Sequence, residues 1–231
     1  MDGLSLAARL EQVQFRIREA AQKSGRDARA VDLVAVSKTQ SAEQIRAAAS
    51  LGVTQFGENY VQEALAKWSE LASLNLQWHF IGALQSNKAK QVVGKVALIH
   101  SVDRMSLAEE LSRRAANQTQ GVLIEVNLAN EMTKSGVTIS DLPKLIDGVS
   151  GLGGLALRGL MAMPPLAEKP EDSRKYFAQA RELFTKLQPK GDSGLQWTVL
   201  SMGTTSDYAV AIEEGATLVR VGTAIFGERK K

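Results

Sequence analysis

Lys38 closes a run of apolar, largely β-branched residues, Val31-Asp32-Leu33-Val34-Ala35-Val36-Ser37, and Ser41-Ala42-Glu43-Gln44 then opens a helical pattern with a capping-box spacing. Such a run suits a strand buried on both faces of a parallel sheet. Lys38 therefore sits at the carboxyl edge of that sheet, where α/β proteins bind ligands. A partly desolvated lysine there is the amine that Schiff-base chemistry needs, although a solvated loop lysine reads the same from this stretch alone. Two later stretches carry complementary chemistry. Ser201-Met202-Gly203-Thr204-Thr205-Ser206-Asp207 and Arg220-Val221-Gly222-Thr223 each place glycine and hydroxyl residues directly after an apolar run. Loops of this kind bring backbone N–H groups and hydroxyls up to a phosphate, or simply make turns capped by Ser and Thr. A lysine with a phosphate cradle points to a phosphorylated aldehyde, or a sugar phosphate, held as an imine.

The elements that must position these residues repeat regularly. A helical stripe over 4–24 is followed by apolar runs near 31–37, 53–56, 76–81, 96–102, 121–127, 155–163, 196–202 and 217–221. Helical patterns separate them at 42–51, 61–71, 106–117, 141–149, 171–187 and 207–214, with a further one ending at 93. Alternation of this kind predicts the α/β class and a single (β/α)8 TIM barrel with one extra N-terminal helix, a single domain over 1–231. A doubly wound open sheet is the competitor, but no Gly-rich dinucleotide turn is present. A barrel gathers its strand ends in one mouth: Lys38, Glu58-Asn59, Gln85-Ser86-Asn87, Asp103-Arg104, Asn127, Met161 to Met163, Ser201 to Thr205 and Arg220 to Thr223.

Composition narrows the alternatives. Lys and Arg total 28 against 25 Asp and Glu, a net charge of +3, and no basic stripe interleaved with aromatics suggests nucleic acid. With no cysteine and two histidines far apart in sequence, disulfides, thiolate chemistry and a His-based metal site are not expected. The start of the chain lacks signal-peptide character and no apolar run reaches the roughly 20 residues of a membrane span, so a cytoplasmic location is expected. His79, inside an apolar strand, reads as a hydrogen-bonded structural residue. Glu109-Glu110 and Glu213-Glu214 read as solvated helix faces, Lys134 as an exposed loop residue, and the glycines of 148–154 fall on the wrong side of a strand for a nucleotide.

Taken together, Leu33-Val34-Ala35-Val36-Ser37-Lys38-Thr39, Phe56-Gly57-Glu58-Asn59-Tyr60-Val61-Gln62-Glu63, Trp78-His79-Phe80-Ile81-Gly82, Arg158-Gly159-Leu160-Met161-Ala162-Met163 and Val219-Arg220-Val221-Gly222-Thr223-Ala224-Ile225-Phe226-Gly227 closely resemble the pyridoxal phosphate homeostasis proteins, the YggS/PROSC family. Leu84-Gln85-Ser86-Asn87-Lys88 and Lys134-Ser135-Gly136 match too, so the resemblance runs from about 31 to 227. It implies a barrel like the amino-terminal domain of alanine racemase, with pyridoxal 5′-phosphate (PLP) held as an internal aldimine on Lys38. It also implies that Arg220 faces the pyridine nitrogen, that Asn59 and Met161 contact the ring, and that Ser201, Gly222 and Thr223 hold the phosphate. Where the family has Gly-Met-Ser after strand seven, this chain reads Gly203-Thr204-Thr205-Ser206, and Thr205 keeps the hydroxyl.

A guanidinium does not readily give up its proton, so opposite that nitrogen it keeps the ring unprotonated and disfavours carbanion chemistry. The resemblance thus implies a non-enzymatic PLP carrier, with no catalytic residue, that buffers or delivers the cofactor and so affects amino-acid and keto-acid balance. PLP-dependent apoenzymes or regulatory proteins are the candidate partners. A PLP-dependent amino-acid racemase is the alternative, but racemases take the base on the opposite face from a second domain, and only Glu228 to Lys231 follow the last motif. A Schiff-base lyase acting on a sugar phosphate explains the lysine and cradle but not Arg220. With no second domain to complete a shared site, a monomer is expected.

Overall fold

A closed barrel of eight parallel strands in chain order, seen in a computed structural model that describes residues 4–115, 118–129, 131, 135–188 and 197–228, places every expected strand. The strands are β1 (Asp32–Val36), β2 (Gln55–Glu58), β3 (Gln77–Phe80), β4 (Leu98–Val102), β5 (Gln120–Val126), β6 (Leu155–Ala162), β7 (Val199–Ser201) and β8 (Leu218–Val221). Closure comes from β1 pairing with both β2 and β8, with Val34 opposite Arg220. After the leading helix α1 (Leu6–Lys23), the outer helices are α2 (Ala42–Ser50), α3 (Val61–Glu70), α4 (Ala89–Val92), α5 (Met105–Ala115), α6 (Leu142–Ser150), α7 (Arg174–Lys186), α8 (Tyr208–Glu213) and α9 (Thr223–Phe226). Ser41 caps α2 as its spacing predicts, its Oγ accepting from the Gln44 N–H at 3.3 Å.

Several boundaries differ from the periodicity, among them β2, which runs Gln55–Glu58 rather than over 53–56. β7 has three residues, not the longer strand expected over 196–202. Residue 196 lies outside the described residues, as do 116–117 at the expected end of α5, and the Met202 N–H bonds instead to the Leu218 carbonyl at 3.1 Å before Gly203 turns the chain. α7 starts at Arg174 because Pro170–Ser173 form a 3-10 turn ahead of it, a place where the missing proline N–H costs nothing. α4 is cut to four residues behind the 3-10 turn Ser86–Lys88. The helix α9 had no separate expectation.

Two apolar layers hold the barrel. The larger lies between strands and helices, with Phe56, Phe80, Ile99, Leu107, Leu142 and Phe177 fully buried. The smaller, Val34, Leu98, Leu123, Met161 and Leu218, is a separate cluster that plugs the interior. Outside the barrel α1 packs on α8 and α9. Arg9 donates to the Ile225 carbonyl at 2.7 Å, and Arg26 to the carbonyls of Ile212 and Ala216 at 3.0 and 2.9 Å. The leading helix therefore anchors the last two helices. Glu213 and Glu214 correct one expectation. They are not a solvated face but half-buried partners of Arg174 at 2.6 and 2.8 Å, with Lys23 on Glu213 at 2.7 Å.

Candidate functional site

The carboxyl mouth of the barrel holds a cavity of ≈ 460 Å³ walled by Lys38, Asn59, Met163, Thr205, Arg220 and Thr223, with Gly222 beside them. A volume of this size suits a small-molecule ligand. Each wall residue is set by the element before it. Lys38 follows β1, and the next residue, Thr39, has φ 65°, a left-handed conformation that is unusual for a β-branched side chain. The backbone around Lys38 is clasped on both sides. Lys67 of α3 donates to the Ser37 carbonyl at 2.6 Å, and Glu63 accepts from the Thr39 N–H at 2.5 Å. Lys67 also pairs with Glu63 at 2.5 Å and with Glu58 at 2.8 Å. Glu58 is fully buried, takes a 2.6 Å hydrogen bond from Ser37 Oγ, and its pKa is raised, burial outweighing the lysine and the serine.

Asn59 follows β2, and its backbone is approached so closely at Gly82 that a Cβ there would stand 2.2 Å from the Asn59 carbonyl oxygen. The Asn59 side-chain Oδ1 is buried at the cavity wall with no partner, an acceptor left for a ligand's donor. On the opposite wall Thr205 Oγ1 accepts from the N–H groups of Gly222 at 3.2 Å and Ala224 at 3.4 Å. Asp207 holds the start of the same loop by accepting from the Thr204 N–H at 2.7 Å.

Arg220 forms the floor of the cavity. It is 3 % exposed, and its two terminal nitrogens donate to Ser201 Oγ at 2.6 Å and to the Ala162 carbonyl at 3.2 Å. Burial pulls its pKa down to about 10, with Glu125 and Asp207 opposing, so it remains a cation at neutral pH. Beneath Ser201 the two histidines, distant in sequence, meet. His100 Nδ1 is 3.0 Å from Ser201 Oγ, and His100 Nε2 is 2.9 Å from His79 Nδ1. His79 is thus a hydrogen-bonded interior residue, as its place in the strand suggests.

Six of the eight residues singled out by sequence and resemblance, Lys38, Asn59, Thr205, Arg220, Gly222 and Thr223, surround one cavity. The other two do not reach its wall. Ser201 is fully buried under Arg220, and Met161 lies at 1 % exposure in the interior plug, while Met163, just past the end of β6, lines the cavity. Asp103 pairs with Arg104 at 2.6 Å, and Asn127 closes a loop on Glu131, accepting from its N–H and donating to its carbonyl. Lys134 lies outside the described residues. Sequence reasoning missed the clasp, although Glu63 and Lys67 show the i,i+4 spacing of a helical ion pair.

A family model for the alanine racemase N-terminal domain matches residues 9–230. The pyridoxal phosphate homeostasis protein of Aquifex aeolicus is 47% identical over 229 residues, 98% of this chain and 100% of that protein. The chain belongs to the pyridoxal phosphate homeostasis protein family. Among solved structures, PipY of Synechococcus elongatus with PLP bound has 39% identity and a TM-score of 0.84, covering 96% of this chain and 100% of that one. Alanine racemase from Corynebacterium glutamicum shares the fold, with a TM-score of 0.72 at 14% identity over 95% of this chain and 62% of that one. Among the described residues, no helix is long and apolar enough to cross a membrane.

Proposed function

We propose that this chain binds PLP covalently through Lys38 and serves, as a non-enzymatic cytoplasmic carrier, to buffer or deliver it to PLP-dependent apoenzymes or regulatory proteins. The observation that carries the reading is the convergence, in one cavity, of an amine, an unpartnered buried acceptor and a buried cation with the Gly222–Thr223 loop. These residues fit the cofactor. Lys38 supplies the amine, and Asn59 Oδ1 supplies an acceptor of the kind a phenolic hydroxyl needs. Thr205, Gly222 and Thr223 supply hydroxyls and backbone N–H groups for the phosphate, and Arg220 supplies a fixed donor for the pyridine nitrogen. When bound, PLP brings an aldehyde that condenses with amines and a ring that stabilises negative charge best when its nitrogen is protonated.

The chain's own groups favour holding over turnover. Arg220 remains charged and donates, so it offers the ring no proton. Ser201 acts from beneath Arg220 rather than on the phosphate, and Met161 supports the floor from the plug. One domain acting as a monomer suffices, because the residues that fit the cofactor all come from one barrel. The names of the relatives favour homeostasis over racemisation.

Spectral titration with PLP tests the reading. The wild type should gain a yellow, Lys38-dependent absorption band with micromolar or tighter affinity, and Lys38→Ala should lose it, with no racemisation of alanine by either. Robust racemisation would overturn the carrier reading, and absence of PLP uptake would overturn the binding itself.

A further inference from the structure

Arg220 is a buried cation with no carboxylate at ion-pair distance among the described residues; Glu125 and Asp207 reach it only through space. What holds it is one carbonyl and the oxygen of Ser201. The orientation of that hydroxyl therefore decides whether a lone pair faces the guanidinium.

The row behind it, Ser201 Oγ, His100 Nδ1 and Nε2, and His79 Nδ1 and Nε2, can carry its protons in two ways. In one, Ser201 donates to His100, His100 donates to His79, and only the last N–H, at His79 Nε2, lacks a partner. In the reverse, both histidines donate towards Ser201, whose own proton then has no acceptor while His79 Nε2 is left bare as well. His79 Nε2 is indeed a buried atom without a partner, and the first arrangement leaves only that group unsatisfied. Both rings are kept neutral by burial, His100 further by the neighbouring Arg220 and His79, and His79 falls to about 4. A neutral His100 that accepts from the Ser201 O–H leaves the serine oxygen free to accept from the guanidinium.

We propose that His100, backed by His79, is a positioning residue for Arg220. By accepting the hydrogen bond of the Ser201 O–H at Nδ1 it turns the serine oxygen's lone pairs towards the guanidinium and fixes the donor that meets the pyridine nitrogen. The inference rests on the PLP reading above. It assigns roles to two histidines and a serine that do not touch the ligand.

The test loads full-length wild type, His100→Phe, His100→Asn and Ser201→Ala with PLP labelled with ¹⁵N in the ring. Affinity, attachment at Lys38 after borohydride, and the ring-nitrogen resonance are then read. Asparagine can present an oxygen near the position of Nδ1, so His100→Asn should keep the wild-type resonance and affinity. His100→Phe and Ser201→Ala should still attach PLP at Lys38, with a shifted resonance and about tenfold weaker binding, the loss expected for one hydrogen bond to a charged group. Should His100→Phe fail to fold, Ser201→Ala carries the decision by itself. A wild-type resonance and affinity in Ser201→Ala, or in a folded His100→Phe, would overturn the proposal. Failure of the wild type to take up PLP would instead overturn the functional reading.

Discussion

Replacing Lys67 with methionine removes the cation that clasps the backbone beside Lys38 while keeping most of the side-chain volume. Lys67 is 6 % exposed and Glu58 fully buried, so screening by solvent is small. Removing one partner of a buried pair costs about 3–5 kcal/mol, because the remaining charge is stranded. The lower end, about 3 kcal/mol, is expected here, since Ser37 Oγ still donates to Glu58 at 2.6 Å. Glu58 can relieve the rest by taking a proton. Its folded pKa already lies above the ordinary 4.5, and loss of Lys67 removes the largest effect holding it down. A carboxyl raised in the fold contributes stability below its unfolded pKa and loses it as pH rises through the folded value. The deficit of Lys67→Met should therefore be about 3 kcal/mol near pH 8 and clearly smaller near pH 5, measured by urea unfolding against the wild type. Adding Glu58→Gln should recover much of the loss near pH 8. PLP uptake should be slower in Lys67→Met, because the Ser37 carbonyl and Thr39 N–H lose their common tether. A deficit under about 1 kcal/mol that is flat with pH would refute the reasoning.

Other expectations follow from the same geometry. Gly82→Ala puts a Cβ 2.2 Å from the Asn59 carbonyl oxygen, so it should cost about 1–3 kcal/mol in thermal unfolding and weaken PLP binding by displacing Asn59. Thr205→Val removes the acceptor of the Gly222 and Ala224 N–H groups and should weaken PLP binding about tenfold by spectral titration, whereas Thr205→Ser should stay near wild type. His79, whose folded pKa is depressed from 6.5 to about 4, contributes stability that is present above 6.5 and is lost as pH falls through 4. His79→Phe should therefore flatten the fall in urea midpoint across that window, a span worth about 3 kcal/mol.

How far the sequence reveals this molecule depends on the range over which each feature is decided. The barrel order and the ends of most strands follow from apolar runs and caps, which act locally, as at Ser41 and along β1. Lys38, Arg220 and Thr205 could be placed in one mouth because a barrel gathers all its strand ends together. Depth inside the barrel was hidden. Met161 in β6 enters the plug, whereas Met163, one residue past the end of that strand, lines the cavity, a depth that the apolar run does not show. The histidine contact was hidden for a related reason. His79 pairs in register with Leu98, which puts His100 two residues along the neighbouring strand, on the same face. The clasp was half legible, since i,i+4 spacing joins Glu63 to Lys67 but says nothing of the Ser37 carbonyl that the lysine reaches.

The most direct test of the central claim is the location of the adduct after PLP-loaded wild-type protein is reduced with borohydride, digested and mapped by mass spectrometry. The account predicts one phosphopyridoxyl group, on the peptide containing Lys38, and none there when Lys38 is alanine. A stable adduct at another lysine with Lys38 unmodified, or none at all, would contradict it.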